Sequence, residues 1–219
     1  MLKPRVTDVL FAVLAILMIP LLCVSASALV PCVLRPFYYV SMNLLKIPES
    51  NGYSAAVVKE AYDDVMDYIW FGGPFRTGQL AFSAEGEAHF ADCVPLFRLQ
   101  PILFCASLFV LFLYAFLRRR DILRPISLFG QSPLAIGGAL TVLSLAFVGV
   151  FALVDFDGLF TLFHKIAFPG KENWMFDPAT DEIINILPES FFLLCALFIV
   201  LGALLLAVAA IVIGYRRRR

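Results

Sequence analysis

Two side chains in this sequence exchange protons near neutral pH: His89 and His164 are its only histidines. An imidazole that is neutral at working pH can act as a general base, and a second can steady developing charge or return a proton. Each histidine has polar company. Around the first, the chain reads Phe82-Ser83-Ala84-Glu85-Gly86-Glu87-Ala88-His89-Phe90-Ala91-Asp92. On a helix, Asp92 falls one turn after His89, close enough to orient an imidazole. Around the second, Asp157, Thr161 and His164 recur at i, i+4 and i+7 among Phe156, Phe160, Phe163 and Ile166. That is one polar line on an otherwise apolar helix, where an imidazole needs a partner to offset its burial. Lys165 follows directly and is long enough to snorkel or to meet an anion.

Other chemistries lack their signatures. The sequence has no Gly-x-Ser-x-Gly elbow, no phosphate-binding loop and no His-Glu-x-x-His. Among the five cysteines no Cys-x-x-Cys pair suggests zinc. Cys32 and Cys93 fall in or beside the same polar segment and could pair in an oxidising compartment. We therefore expect no cofactor and no metal.

The elements that must position the histidines belong to a membrane protein. The 219 residues are 61% hydrophobic and 16% charged, against about 45–50% and about 25% in a soluble domain. The excess sits in four runs, roughly 9–30, 99–117, 134–154 and 191–215. Each approaches the ~20 residues that cross a ~30 Å hydrocarbon core, and none carries an internal charge. Spans that lack charges and broken helices do not read as a solute pathway. The expected fold is an all-α bundle of four transmembrane helices. The segments are 1–30 with the first span, a large loop 31–98, a second span 99–117, a short loop 118–133, a third span 134–154, a second loop 155–190, and 191–219 with the last span and a basic tail.

Charge sets the orientation. Ten basic residues stand against Asp8 and Asp121 in the N-terminus, the 118–133 loop and the C-terminus, including Arg118 to Arg120 and Arg216 to Arg219. The two larger loops hold seven basic and fifteen acidic residues. A Lys/Arg excess next to spans marks the cytoplasmic side. Both termini are thus expected inside, with the two histidine loops forming a small extracytoplasmic cap. Ala26-Ser27-Ala28 resembles a signal-peptidase site, but the apolar run before it is longer than a usual signal core. The basic loop and tail suit anionic lipid rather than nucleic acid.

Within the first loop, Val58, Tyr62, Val65 and Ile69 predict a helix that Ser54 caps and Gly72-Gly73-Pro74 ends. In the second, Gly170 is expected to stop the His164 helix, and Trp174 suits the headgroup level.

The two loop motifs together resemble a known family. Gly86-x-x-His89-Phe90-x-Asp92, followed by Leu96-Phe97, is similar to the first motif of the bacterial lipoprotein intramolecular transacylases. Phe163-His164-x-x-Ala167-Phe168, then Trp174-x-Phe176-Asp177-Pro178 and the run from Asp181 through Pro188-Glu189 to Phe192, is similar to the second. Cys93 and Val94 depart from the first pattern.

The resemblance implies an enzyme of the bacterial cell membrane with its active site outside. Its substrate would be a diacylated lipoprotein within membrane lipid. An acyl chain would move from the glycerol to the α-amino group of the N-terminal cysteine, leaving a lyso-form lipoprotein. Donor and acceptor are tethered, so much of the entropic barrier is removed beforehand. His164 is expected as base, because an apolar setting favours neutral imidazole. His89, steadied by Asp92, is expected as electrophile or acid. Asp157, Lys165, Trp174, Asp177, Asp181 and Glu189 are expected in support, the acids chiefly as loop-ordering or capping groups. A membrane lipid esterase and a non-catalytic accessory protein are the alternatives, and a monomer is expected.

Overall fold

The computed structural model describes residues 3–216. Arg217, Arg218 and Arg219, counted above with the basic tail, lie outside them. Among the described residues the chain is all-helical. Its helices are α1 (Val6–Val33), α2 (Arg35–Leu44), α3 (Ile47–Asn51), α4 (Ala55–Phe71), α5 (Ala84–Arg119), α6 (Pro133–Val154), α7 (Phe156–Ala167), α8 (Ile183–Ile186) and α9 (Glu189–Arg216). Helices α1, α5, α6 and α9 are long and apolar enough to cross a membrane, one for each apolar run of the sequence.

Helix α5 is the main surprise. Hydropathy ends the first loop near residue 98, yet the helix starts at Ala84 and runs unbroken for 36 residues, through Pro95 and Pro101. At ~1.5 Å per residue it is roughly 54 Å long, well beyond a ~30 Å hydrocarbon core. Its first part, 84–98, carries Glu85, Glu87, Asp92 and Arg98 and lies outside the spanning stretch.

The chain divides into two compact units. One comprises residues 1–28, 101–154 and 198–219. It packs through small residues: Ala12, Ala15, Ala203 and Ala207 are fully buried. A Cβ on Gly138 would come within 2.7 Å of the Ala207 carbonyl, and one on Gly202 within 2.7 Å of Ser27 Oγ. Lipid chains are as apolar as leucine, so spans associate through such close backbone approach. Asp8 ties the ends together. It accepts from the Arg5 guanidinium at 2.9 Å and from the Arg124 backbone N–H at 3.0 Å.

The other unit comprises residues 29–100 and 155–197 and holds both histidines. Its core joins Val58, Tyr62, Val65 and Ile69 of α4 to Tyr38, Phe75, Phe90, Ile183, Ile186 and Phe191. The four α4 residues are those that the periodicity singles out, and Ser54 caps the helix by accepting from the Val57 N–H at 3.3 Å. Tyr38 stacks on Tyr62 with centroids 3.7 Å apart and donates to the Ile186 carbonyl at 2.7 Å. A buried tyrosine thus keeps a partner for its hydroxyl.

Candidate active site

The first histidine is positioned by the start of α5. Ser83 caps that helix, its Oγ accepting from the Gly86 N–H at 3.0 Å. Ser83 in turn donates to Asp181 from both N–H and Oγ, each at 2.8 Å. Gly86 is small because Asp181 lies against it: a Cβ there would collide with Asp181 Oδ1. The glycine and the distant aspartate are two halves of one junction, which places His89 one turn further along.

The second histidine is positioned by α7. Asp155 caps this helix, accepting from the Gly158 N–H at 2.8 Å. Asp157 is exposed in the first turn. The helix ends at Ala167, with Phe168 donating back to the His164 carbonyl, so it stops before Gly170.

The two imidazoles meet. Their ring centroids lie 6.0 Å apart, and the residues are only 6% and 7% exposed. Aromatic rings enclose them. Phe168 touches both, at 5.0 Å from His89 and 5.8 Å from His164. Phe176 packs edge-on to His89 at 5.3 Å, while Trp174 stacks on His164 at 4.7 Å. Phe160 covers His164 at 4.2 Å.

Their hydrogen bonding is opposite. His164 Nδ1 lies 2.8 Å from the Phe160 carbonyl oxygen. A carbonyl only accepts, so Nδ1 carries the proton and Nε2 of the neutral ring holds the free lone pair. His89 Nε2 lies 3.5 Å from Cys93 Sγ, whereas its Nδ1 is buried without a partner. Cys93 is thus the hydrogen-bonding partner of this ring among the described residues. Burial holds the Cys93 thiol up at about 12, so it remains S–H. Both histidines are held neutral. Burial, reinforced by the neighbouring His164, pushes His89 down to about 4. Burial also lowers His164, against the opposing Phe160 hydrogen bond.

The family is decided by the match of the chain's length. The model of the lipoprotein intramolecular transacylase Lit family matches residues 13–192. The chain belongs to this family. It is accordingly an acyltransferase and a multi-pass membrane protein. Solved structures of the membrane-integral Lit from Bacillus cereus share the fold. One is 23% identical, covers 96% of this chain and 95% of its own, and superposes with a TM-score of 0.84. Two variants of the same protein, with a histidine replaced by arginine or by alanine, are 22% identical. They cover 97% of this chain and 95–96% of their own, with TM-scores of 0.76 and 0.77. No curated protein matches by sequence.

The remaining site residues of this transacylase sort by contact. Asp92 makes no hydrogen bond to His89, although its charge is felt there. Its carboxylate accepts from Lys171 and from Asn173 Nδ2, the latter at 3.1 Å, and the Lys171 bond holds it below the usual carboxylate range. The nearest partners in space come from the other loop and outcompete the neighbour in sequence. Trp174 belongs to that turn, donating from Nε1 to the Lys171 carbonyl at 3.0 Å. It therefore stacks on a histidine rather than serving only as an anchor. Asp177 caps a turn by accepting from the Ala179 N–H at 2.9 Å. Asp181 is buried in the Ser83 junction. Lys165 and Glu189 are exposed and make no hydrogen bond or ion pair among the described residues. Cys32 and Cys93 are both free thiols. Lys171, Asn173, the Phe160 carbonyl and the Asp155 cap escape the sequence reading. The carbonyl is the one with a local signal, because a helical histidine has its own i−4 carbonyl within reach.

Proposed function

We propose that this transacylase moves an acyl chain from the lipid-linked glycerol oxygen of a diacylated lipoprotein to the α-amino nitrogen of its N-terminal cysteine. The observation that carries this reading is the pair of buried imidazoles with ring centroids 6.0 Å apart: His164 Nε2 is a free acceptor, and the unpartnered His89 Nδ1 is assigned the N–H, with the Cys93 thiol donating to Nε2.

The α-amine loses a proton to His164 Nε2 as its nitrogen attacks the ester carbon. An α-amino group has a solution pKa near 7.7–8.0, so its neutral form is accessible near neutral pH and is the nucleophile; the attacking nitrogen becomes strongly acidic, and a neutral imidazole is a competent acceptor for its proton. The oxyanion takes the hydrogen bond that His89 Nδ1–H has spare; such a donor acts best in a site without water. The tetrahedral carbon collapses by breaking its bond to the glycerol oxygen, which receives the proton from His164. One C–N bond forms, one C–O bond breaks, and the proton passes from amine to alcohol through a single histidine. The enzyme is never acylated. Trp174 over His164 favours the transient imidazolium, as an aromatic face favours a cation. Asp92, Lys171 and Asn173 hold that tryptophan turn to α5. The basic excess of the other segments supports an active site on the extracytoplasmic face of the bacterial cell membrane.

Mass spectrometry of a lipoprotein N-terminus, with and without this enzyme in a host that otherwise makes diacylated lipoproteins, tests the reading. The expected product has unchanged total acyl content, with one chain now on nitrogen. Release of free fatty acid would identify an esterase, and an unchanged N-terminus would leave an accessory protein.

A further inference from the structure

The unit without histidines has a cavity of about 1110 Å³, just above the ~300–1,000 Å³ range of small-molecule sites. Its walls are apolar, with Ile19, Leu22, Leu111, Leu206 and Ile213 among them. Arg118, Arg119 and Arg124 also line it, and no described lining residue is acidic. Among the described residues these arginines have no ion-pair partner. Arg118 donates to the Leu123 carbonyl at 2.8 Å and Arg124 to the Lys3 carbonyl at 2.6 Å. Arg119 makes no hydrogen bond or ion pair among the described residues. The acids at this end are Asp8 and Asp121. Asp8 accepts from Arg5 and the Arg124 backbone, and Asp121 is exposed and does not line the cavity.

We propose that this cavity binds one anionic diacyl phospholipid, its phosphate at the three arginines and an acyl chain along the leucine and isoleucine wall. Each half of the ligand answers one half of the site. A free phosphate leaves the apolar wall unused, and a neutral lipid leaves the guanidinium charges unpaired. Basic recesses between spanning helices are suited to anionic headgroups. The site shares no residue with the histidine pair, so the proposal does not rest on the acyl-transfer reading.

The test is native mass spectrometry of the full-length protein with dioleoylphosphatidylglycerol or dioleoylphosphatidylcholine. The wild type should retain one phosphatidylglycerol in preference to phosphatidylcholine. Arg119→Gln removes a side chain without protein partners, so it leaves folding intact; it should weaken retention roughly fivefold, the usual contribution of one arginine near an anionic lipid surface. Leu206→Trp, which narrows the apolar wall and alters no charge, should weaken one-to-one retention of the lipid. Arg120→Gln is the control, because Arg120 sits over the Phe116 ring and does not line the cavity; it should bind as the wild type. Equal retention of the two lipids, unchanged binding in Arg119→Gln or Leu206→Trp, or an equal loss in Arg120→Gln would each overturn the proposal.

Discussion

The surroundings of His164 and His89 differ although the rings lie 6.0 Å apart. His164 is fixed at one nitrogen by its own helix and covered on its faces by Phe160 and Trp174. His89 is held among the edges of Phe168 and Phe176, with one nitrogen toward a thiol and the other unused. In the proposed mechanism these surroundings turn two copies of one side chain into different reagents. Which nitrogen is engaged decides whether a neutral imidazole accepts a proton or donates a hydrogen bond.

The largest effect should come from removing the acceptor. His164→Ala is expected to lower the rate of N-acylation by ~10²–10⁴, the usual contribution of a general base. His164→Gln should be equally impaired, since an amide cannot take the proton. The donor should behave differently. His89→Ala is expected to cost about 10²–10³, as loss of one oxyanion donor does. His89→Gln, which keeps an N–H, should recover part of that loss. Equal behaviour of the two glutamine variants in a lipopeptide assay would erase the distinction between the histidines.

The sequence makes the frame of this site legible and hides its fastenings. The four spans follow from uninterrupted apolar runs, and α4 follows from Val58, Tyr62, Val65 and Ile69 with the Ser54 cap. The start of α5 does not, because Glu85, Glu87, Asp92, Arg98 and the prolines break its hydropathy while leaving the helix intact. Asp92 reads as a candidate by spacing and Asp181 through the family motif, but their partners are Lys171, Asn173 and Ser83, 79 to 98 residues away. Local periodicity carries no information about such pairs. The same limit explains Asp155 and Asp157: the first precedes α7 and the second lies in its first turn, and Asp155 is the one that caps the helix by accepting from the Gly158 N–H.

A smaller effect concerns pH. Both histidines titrate lower in the folded protein than in the unfolded chain. Between those values the unfolded chain binds more protons, so stability is full above about pH 6.5 and falls as pH drops toward His89's value of about 4. Thermal unfolding at a series of pH values should show this decline, and His89→Gln should make it shallower. Protonation of the substrate α-amine gives one acid limb near pH 7.7–8.0, and the histidine limb should lie apart from it, below about pH 6.5. With an acyl acceptor whose amine titrates well below that of the natural α-amine, a histidine limb still centred above about pH 6.5 would mean that His164 is not the titrating base. The smallest effect is expected at Cys93, whose thiol only biases the tautomer of His89: Cys93→Ala should keep N-acylation within about tenfold, the scale of one lost hydrogen bond.

The account stands most directly on where the acyl chain resides during the reaction. An equimolar mixture of an unlabelled diacylated lipopeptide and one labelled in both peptide and acyl chains can be sampled during turnover, and the mass spectrum of lipopeptide and enzyme recorded together. Direct transfer under two neutral imidazoles predicts two product masses, each peptide keeping its own acyl chains, and an enzyme of unchanged mass throughout. An enzyme carrying one acyl group, on Cys93 or elsewhere, or products in which labelled chains have crossed to unlabelled peptide, would contradict it.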